Sequence, residues 1–263
     1  MKRLLTLRLE ATGCHAQAGL NGVPVARVSP DRPRACLAVH EFMVRGPNSL
    51  ELRIDPLPGD PPAAHAAVVG ASLELHLTRI GDAAGGERSR ALARLAWAPK
   101  DAPDGAPAAP TAPLRQQVDL PLEFPRWSWL TAPATAPTPV LQAQALAFVE
   151  GIALALNRGD AEPWLSATRL AREELAIAYQ CDDAEQDDRL RSALLHAPDG
   201  QAWQWDTPSA ACFALQPLAG GRLLECVDLE GRPALRARSQ DQRHARQLPL
   251  RLAWIDHRFY GLR

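Results

Sequence analysis

Four of the seven tryptophans stand in two Trp-x-Trp pairs, Trp127 with Trp129 and Trp203 with Trp205. Residues two apart on a strand project from one face, so each pair would set two indoles about 7 Å apart. Exposed, such a pair is an aromatic platform for stacking on sugar rings or anchoring a protein partner; buried, it is a block of core. Burial is the expectation, because large exposed apolar patches are uncommon on folded surfaces. A second concentration of chemistry is acidic: Asp182, Asp183, Glu185, Asp187 and Asp188 place five carboxylates within seven residues. One or two of them suit a helix N-terminus, where a carboxylate meets the positive end of the dipole. The others repel one another and require compensation. It can come from Arg189 and Arg191, from the eight arginines between Arg232 and Arg263, or from a basic partner. These five acids are therefore the expected contact surface for another protein.

Motifs that carry catalysis are missing. The chain holds no G-x-S-x-G elbow, no phosphate-binding loop, no G-x-G-x-x-G after a strand and no H-E-x-x-H pair. Its seven histidines are scattered without ligand spacing, and its five cysteines contain no C-x-x-C pair, so neither a metal nor a cofactor is expected. Cys14, Cys36, Cys181, Cys212 and Cys226 read as reduced core residues. The formal net charge of −1 lacks the basic excess that general nucleic-acid binding demands. Lys2 and Lys100 are the only lysines, and alanine and proline are abundant, a bias expected of a GC-rich bacterial genome. At the start, Thr6, Arg8 and Glu10 alternate with Leu5, Leu7 and Leu9 where a secretory signal needs an unbroken apolar run. A cytoplasmic protein without a membrane span is the expectation.

The elements that must position these residues follow from periodicity. Over residues 1–130 apolar side chains recur at every second position between turn signals: Leu5, Leu7 and Leu9; Leu50, Leu52 and Ile54; Leu73, Leu75 and Leu77; Val118, Leu120, Leu122 and Phe124. Asn21-Gly22 suits a tight hairpin turn, and Pro121 marks the last strand as an edge. Six or seven short strands without a helix predict an antiparallel β-sandwich. Proline-rich stretches at 99–113 and 131–139 read as a surface loop and an interdomain linker. Beyond the linker the period becomes helical: Leu141, Ala145, Phe148, Ile152 and Ala155, then Trp164, Thr168, Ala171, Leu175 and Ala178, with a third helix from Asp182. From Trp203 the period returns to two. Residues 140–263 are thus expected to be an α+β domain of helices packed on a curved antiparallel sheet.

Two resemblances accompany this reading. The run Leu20-Asn21-Gly22-Val23-Pro24-Val25, continued by His40-Glu41-Phe42 and Gly46-Pro47-Asn48-Ser49-Leu50-Glu51-Leu52, resembles the turn-and-strand pattern of galactose-binding-like jelly rolls. The C-terminal half, ending in Leu250-Arg251-Leu252-Ala253-Trp254-Ile255-Asp256-His257-Arg258-Phe259-Tyr260, is similar to the nuclear-transport-factor-2-like cone fold, with His257 at a turn position where glycine is usual. The combined layout also looks like uncharacterised bacterial two-domain proteins. The cone resemblance implies a cavity in which Tyr179, His196, Asp256 and His257 would supply general acid and base to a small apolar substrate. Each also has a plainer role: Asp256-His257 as a hairpin tip, His196 at a helix C-terminus, Tyr179 as packing. The expected function is a non-enzymatic binding or interaction protein with a protein partner, in the setting of an accessory or immunity protein to a secreted effector. The alternatives are a cone-fold enzyme and a carbohydrate binder acting through the N-terminal sandwich.

Overall fold

Leucines at positions 5, 7 and 9 are fully buried while Thr6, Arg8 and Glu10 are half-exposed, and this alternation is strand β1 (Arg3–Thr12). The computed structural model describes residues 3–56, 69–79, 89–98, 110, 112–179 and 183–263, of which 56 and 183–186 by their backbone only. Gly85 and Gly86, a pair the sequence suggests as a turn, most of the proline-rich stretch 99–113, Cys181 and Asp182 lie outside the described residues. The chain divides into two compact units, 1–124 and 125–263.

In the first unit β1 runs through Gly13 into β2 (Cys14–Leu20), and then come β3 (Val23–Val28), β4 (Arg34–Ala38), β5 (Gly46–Pro56), β6 (Gly70–Arg79), β7 (Arg90–Trp97) and β8 (Leu114–Leu120). They form two antiparallel sheets, ordered β4-β1-β6-β7 and β3-β2-β5-β8. Gly13 is the corner at which one continuous stretch leaves the first sheet for the second. Its φ is +66°, a conformation that side chains disfavour, and a Cβ there would meet Val69 at 3.1 Å. Leu5, Leu7, Leu9, Leu73 and Leu75 from one sheet and Ala18, Leu20, Leu50 and Leu52 from the other are buried, which makes the core of a sandwich. β8 is an edge strand, as its proline suggested, but it ends before Pro121.

The asparagines of the jelly-roll-like pattern have a local reason. Asn21 and Gly22 both have positive φ, as a tight hairpin turn requires. Asn48 is fully buried. Its amide donates to the carbonyls of Val44 and Gly46, and its Oδ1 accepts from the Val44 N–H and from Asn21 Nδ2, all at 2.8–2.9 Å. Asn21 Oδ1 accepts in turn from the Ser49 N–H at 2.9 Å, so the two turns are sewn together.

The second unit begins with a short helix α1 (Ser128–Thr131), then α2 (Pro139–Asn157), α3 (Glu162–Ala167), α4 (Arg169–Tyr179) and α5 (Asp183–Leu195). The strands are β9 (Trp203–Trp205), β10 (Phe213–Leu218), β11 (Leu223–Asp228), β12 (Leu235–Ser239), β13 (Ala245–Leu248), β14 (Arg251–Ile255) and β15 (Arg258–Gly261). They pair in the orders β10-β11-β14-β15 and β13-β12-β9, a curved antiparallel surface that does not close. Residues 131–139, read from the sequence as the linker, fall inside this unit: Ala132 is buried and the Thr135 N–H donates to Gly221 O at 2.9 Å. Thr138 caps α2 by accepting from the Leu141 N–H, with Pro139 in the first turn. With 19 residues and a mean hydropathy of 1.5, α2 is long and apolar enough to cross a membrane by those measures alone. Its Leu141, Ala145, Val149, Ile152, Ala153 and Leu156 are buried in the core of this unit, with Trp164, Trp203, Trp205, Phe213, Leu224 and Leu252.

The described cysteines split into two kinds. Cys14 and Cys226 are buried, and burial pushes both thiols up; Cys36 and Cys212 are exposed, so they are not the core residues their type suggested. Alkylation with iodoacetamide at neutral pH is expected to modify Cys36 and Cys212 and to spare Cys14 and Cys226 until the chain is denatured, because the thiolate is the reacting form. Peptide mass mapping reads the sites, and modification of Cys226 in the native protein would contradict the fold described.

Candidate functional site

The last carbonyls of a helix have no partner within it, and at the end of α5 they are met from outside. Trp203 and Trp205 lie on one face of β9, as their spacing requires, and both are buried. Their indole N–H groups donate to the carbonyls of Ala193 (3.0 Å) and Leu194 (3.2 Å). Arg246, from β13, also donates to Ala193 O, at 2.6 Å, a cation at the negative end of the helix dipole. Beyond α5 the chain turns through His196, Ala197 and Pro198, with the Ala197 N–H on Gln201 O at 2.7 Å.

A cavity of about 570 Å³ opens beside this junction. Ala193, Ala197, Pro198, Trp203 and Ala245 give it apolar walls, and its polar lining is Ser192, Arg189, His196, His244 and Arg246. Four of the ten lining side chains are basic types and none is a carboxylate. His244 Nε2 stands 3.7 Å from Asp199 Oδ2, outside hydrogen-bond range. Among the described residues no carboxylate stands within ion-pair distance of Arg246, and burial pushes its guanidinium down from the usual arginine range. A cation partly withdrawn from water without a counter-charge carries a cost. The arrangement is therefore suited to an anionic group, with apolar walls for the body that carries it.

A second cavity of about 340 Å³ includes Asp206, Thr207, Ser209, Cys212, Asp228 and Arg236. Its charges already answer one another, since Arg236 pairs with Asp228 and stands 3.7 Å from Asp206. In the first unit Glu74, His76 and Ser89 form a hydrogen-bonded row, Oε2 to Nε2 at 3.0 Å and Nδ1 to Oγ at 3.3 Å. Glu74 and His76 are two apart on β6 and share a face, and the row satisfies both nitrogens of a buried imidazole.

Of the residues proposed from sequence as an acid–base set, only His196 lines a described cavity. Asp256 and His257 are the exposed two-residue turn between β14 and β15, both with positive φ, and Ile255 pairs with Arg258 across it. His257 lies edge-on to Trp254 with ring centroids 6.1 Å apart. Tyr179 is half-buried at the end of α4. The structure does not gather the four into one site. Trp127 and Trp129 are not on a strand: Trp127 precedes α1 and Trp129 lies within it, and their side chains are 0% and 1% exposed. All four paired tryptophans are core. In the acidic run, Asp187 pairs with Arg172 of α4, and nearby Arg191 pairs with Glu162 of α3. Asp188 is exposed, Asp183 and Glu185 are described by backbone only, and Asp182 is outside the described residues. Part of the expected compensation is thus internal.

Sequence reading missed Arg246, His244 and Arg189 as a group. Its one usable signal was the arginine excess after Arg232, which does not say which arginine lacks a carboxylate. Among the described residues no three His, Cys, Asp or Glu side chains gather as a metal would require. No protein family, curated protein or solved structure matches the chain.

Proposed function

We propose that this chain is a binding protein whose second unit takes up an anionic group at the end of α5. The observation that carries this reading is the lining of the larger cavity, with Arg189, His196, His244 and Arg246 and no carboxylate. The half-buried Arg246, held by a carbonyl and without an acid partner among the described residues, gives such a group its anchor. The cavity also falls within the roughly 300–1,000 Å³ usual for small-ligand sites.

Titration with inorganic phosphate or benzoate, followed by the ring-proton resonances of the histidines, tests it. His196 and His244 are expected to shift saturably, and His15, exposed on β2 of the other unit, is expected to stay still. Arg246→Gln is expected to weaken binding about tenfold or more, as a hydrogen bond to a charged group contributes about 1.5–3 kcal/mol. Shifts that never saturate, or that are alike for all histidines, would overturn the reading.

A further inference from the structure

β13 is the outer strand of its sheet. It pairs antiparallel with β12 from Leu235–Leu248 to Arg238–Ala245, and among the described residues no strand pairs with its other edge. Ala245 and Gln247 are exposed there. An open edge offers unpaired N–H and C=O groups to another extended chain. Here the edge also carries charge: Arg243, which pairs with Asp241 at 3.2 Å, leads into it, and Arg246 lies within it. A second copy of the same strand would bring these cations against their own kind, which is unfavourable across a ladder. An acidic strand would not meet that opposition.

The cavity beside α5 supplies the second half. This inference rests on the anion reading above. On a newly added strand, the residue opposite Arg246 has its Cβ about 4.5–5.5 Å away on the same face. That is the face from which Arg246 reaches Ala193 O and lines the cavity. We propose that β13 accepts an extended acidic peptide segment of a partner protein as an added strand, with one guest carboxylate entering the cavity beside Arg246. Main-chain bonds give such a complex its affinity, and the alternate side chain gives it selectivity. Ala197, Pro198 and Trp203 receive the methylene stem.

The test is fluorescence anisotropy of the full chain with a short labelled peptide alternating valine and glutamate. Saturable binding is expected, weakened by glutamine in place of glutamate, by salt, and by N-methylation of alternate peptide amides, which removes ladder donors without touching charge. Arg246→Gln should weaken it about tenfold, and His244→Gln serves as a second variant if the first disturbs α5. If phosphate shifts His196 and His244 but the peptide does not bind, strand addition is wrong and the anion pocket stands. If neither binds, both readings fail. Binding indifferent to N-methylation would show ionic capture alone and overturn the added strand.

Discussion

Replacing Glu174 by alanine is expected to destabilise the second unit by about 3–5 kcal/mol, the cost of breaking a buried ion pair from one side. The side chain of Arg263 is 2% exposed, and its Nη1 donates to Glu174 Oε2 at 2.8 Å. The guanidinium carbon lies 5.3 Å from the ring centroid of Trp127, over an indole that is itself fully buried. The other carboxylate oxygen of Glu174 accepts from the Ser128 N–H at 2.5 Å, one of the donors at the start of α1 left without a helical partner. One carboxylate therefore ties α4 to α1 and to the segment after β15. Without it a charged guanidinium stays buried beside the indole, and a backbone donor loses its acceptor. The double change Glu174→Leu with Arg263→Met should recover most of the loss, since apolar replacement of both partners is often near neutral. Urea unfolding of the single and double variants measures both; a single-variant cost below about 1 kcal/mol would place this pair with surface ion pairs.

Asp228 is expected to give the second unit a dependence on acid. Its side chain is 7% exposed, and burial alone would push its carboxyl up. Against that, Oδ1 accepts from the backbone N–H groups of Glu230 (3.0 Å) and Arg232 (2.9 Å), and Oδ2 accepts from Arg232 Nε at 2.8 Å and from the Arg236 guanidinium. These donors outweigh burial and hold the carboxyl well below the usual carboxylate range. A group whose folded pKa lies below its unfolded value stabilises in full above that unfolded value, about 3.9 for aspartate, and loses the contribution as pH falls through it toward the folded one. Asp228→Asn should therefore cost about 1.5–3 kcal/mol at pH 7, the scale of hydrogen bonds to a charged group. The gap to the parent should narrow once the pH drops below about 4. Melting curves for both proteins from neutral pH to pH 3 report this, and parallel curves would remove Asp228 from the acid response.

The first unit was readable because its strands declare themselves by period two: the leucines at 5, 7 and 9 and at 73 and 75 are the ones buried. Trp127 and Trp129 show the limit of that rule. A spacing of two fits a strand, yet with Ser128 between them and Leu130 following, the same residues start a single helical turn. For Trp203 and Trp205 the strand reading and the burial both hold. The helix from Pro139 followed from the spacing of its apolar residues, but the run from Trp164 to Ala178, expected as one helix, is two, α3 and α4, broken at Thr168, which ends α3. The division of the chain at 124 rather than at the second proline-rich stretch depends on contacts such as Thr135 with Gly221. The basic cavity was invisible for the same reason. Arg189 comes from a helix and His196 from the residue after it, and some fifty residues later Arg246 comes from a strand and His244 from the residue before it. Only the capping of α5 by the indoles and Arg246 brings them together. Asp187 likewise finds Arg172 on a different helix, a pairing that the run of acids does not announce.

The corner at Gly13 bears on how the sandwich assembles in time. β1 and β2 are made before the strands that flank them, yet each is an inner strand of its sheet: β1 needs β4 and β6, and β2 needs β3 and β5. Only β3 is supplied at once, by the Asn21-Gly22 hairpin. One edge of β1 has to wait until residues 70–79 have emerged before its longest ladder can close. Such long-range pairings carry a loop-closure cost ahead of any reward, which slows folding and prolongs the exposure of sticky strands. A nascent chain halted before β6 would present β1 with that edge unpaired, a segment for holdase chaperones to protect and for neighbouring chains on the same message to invade.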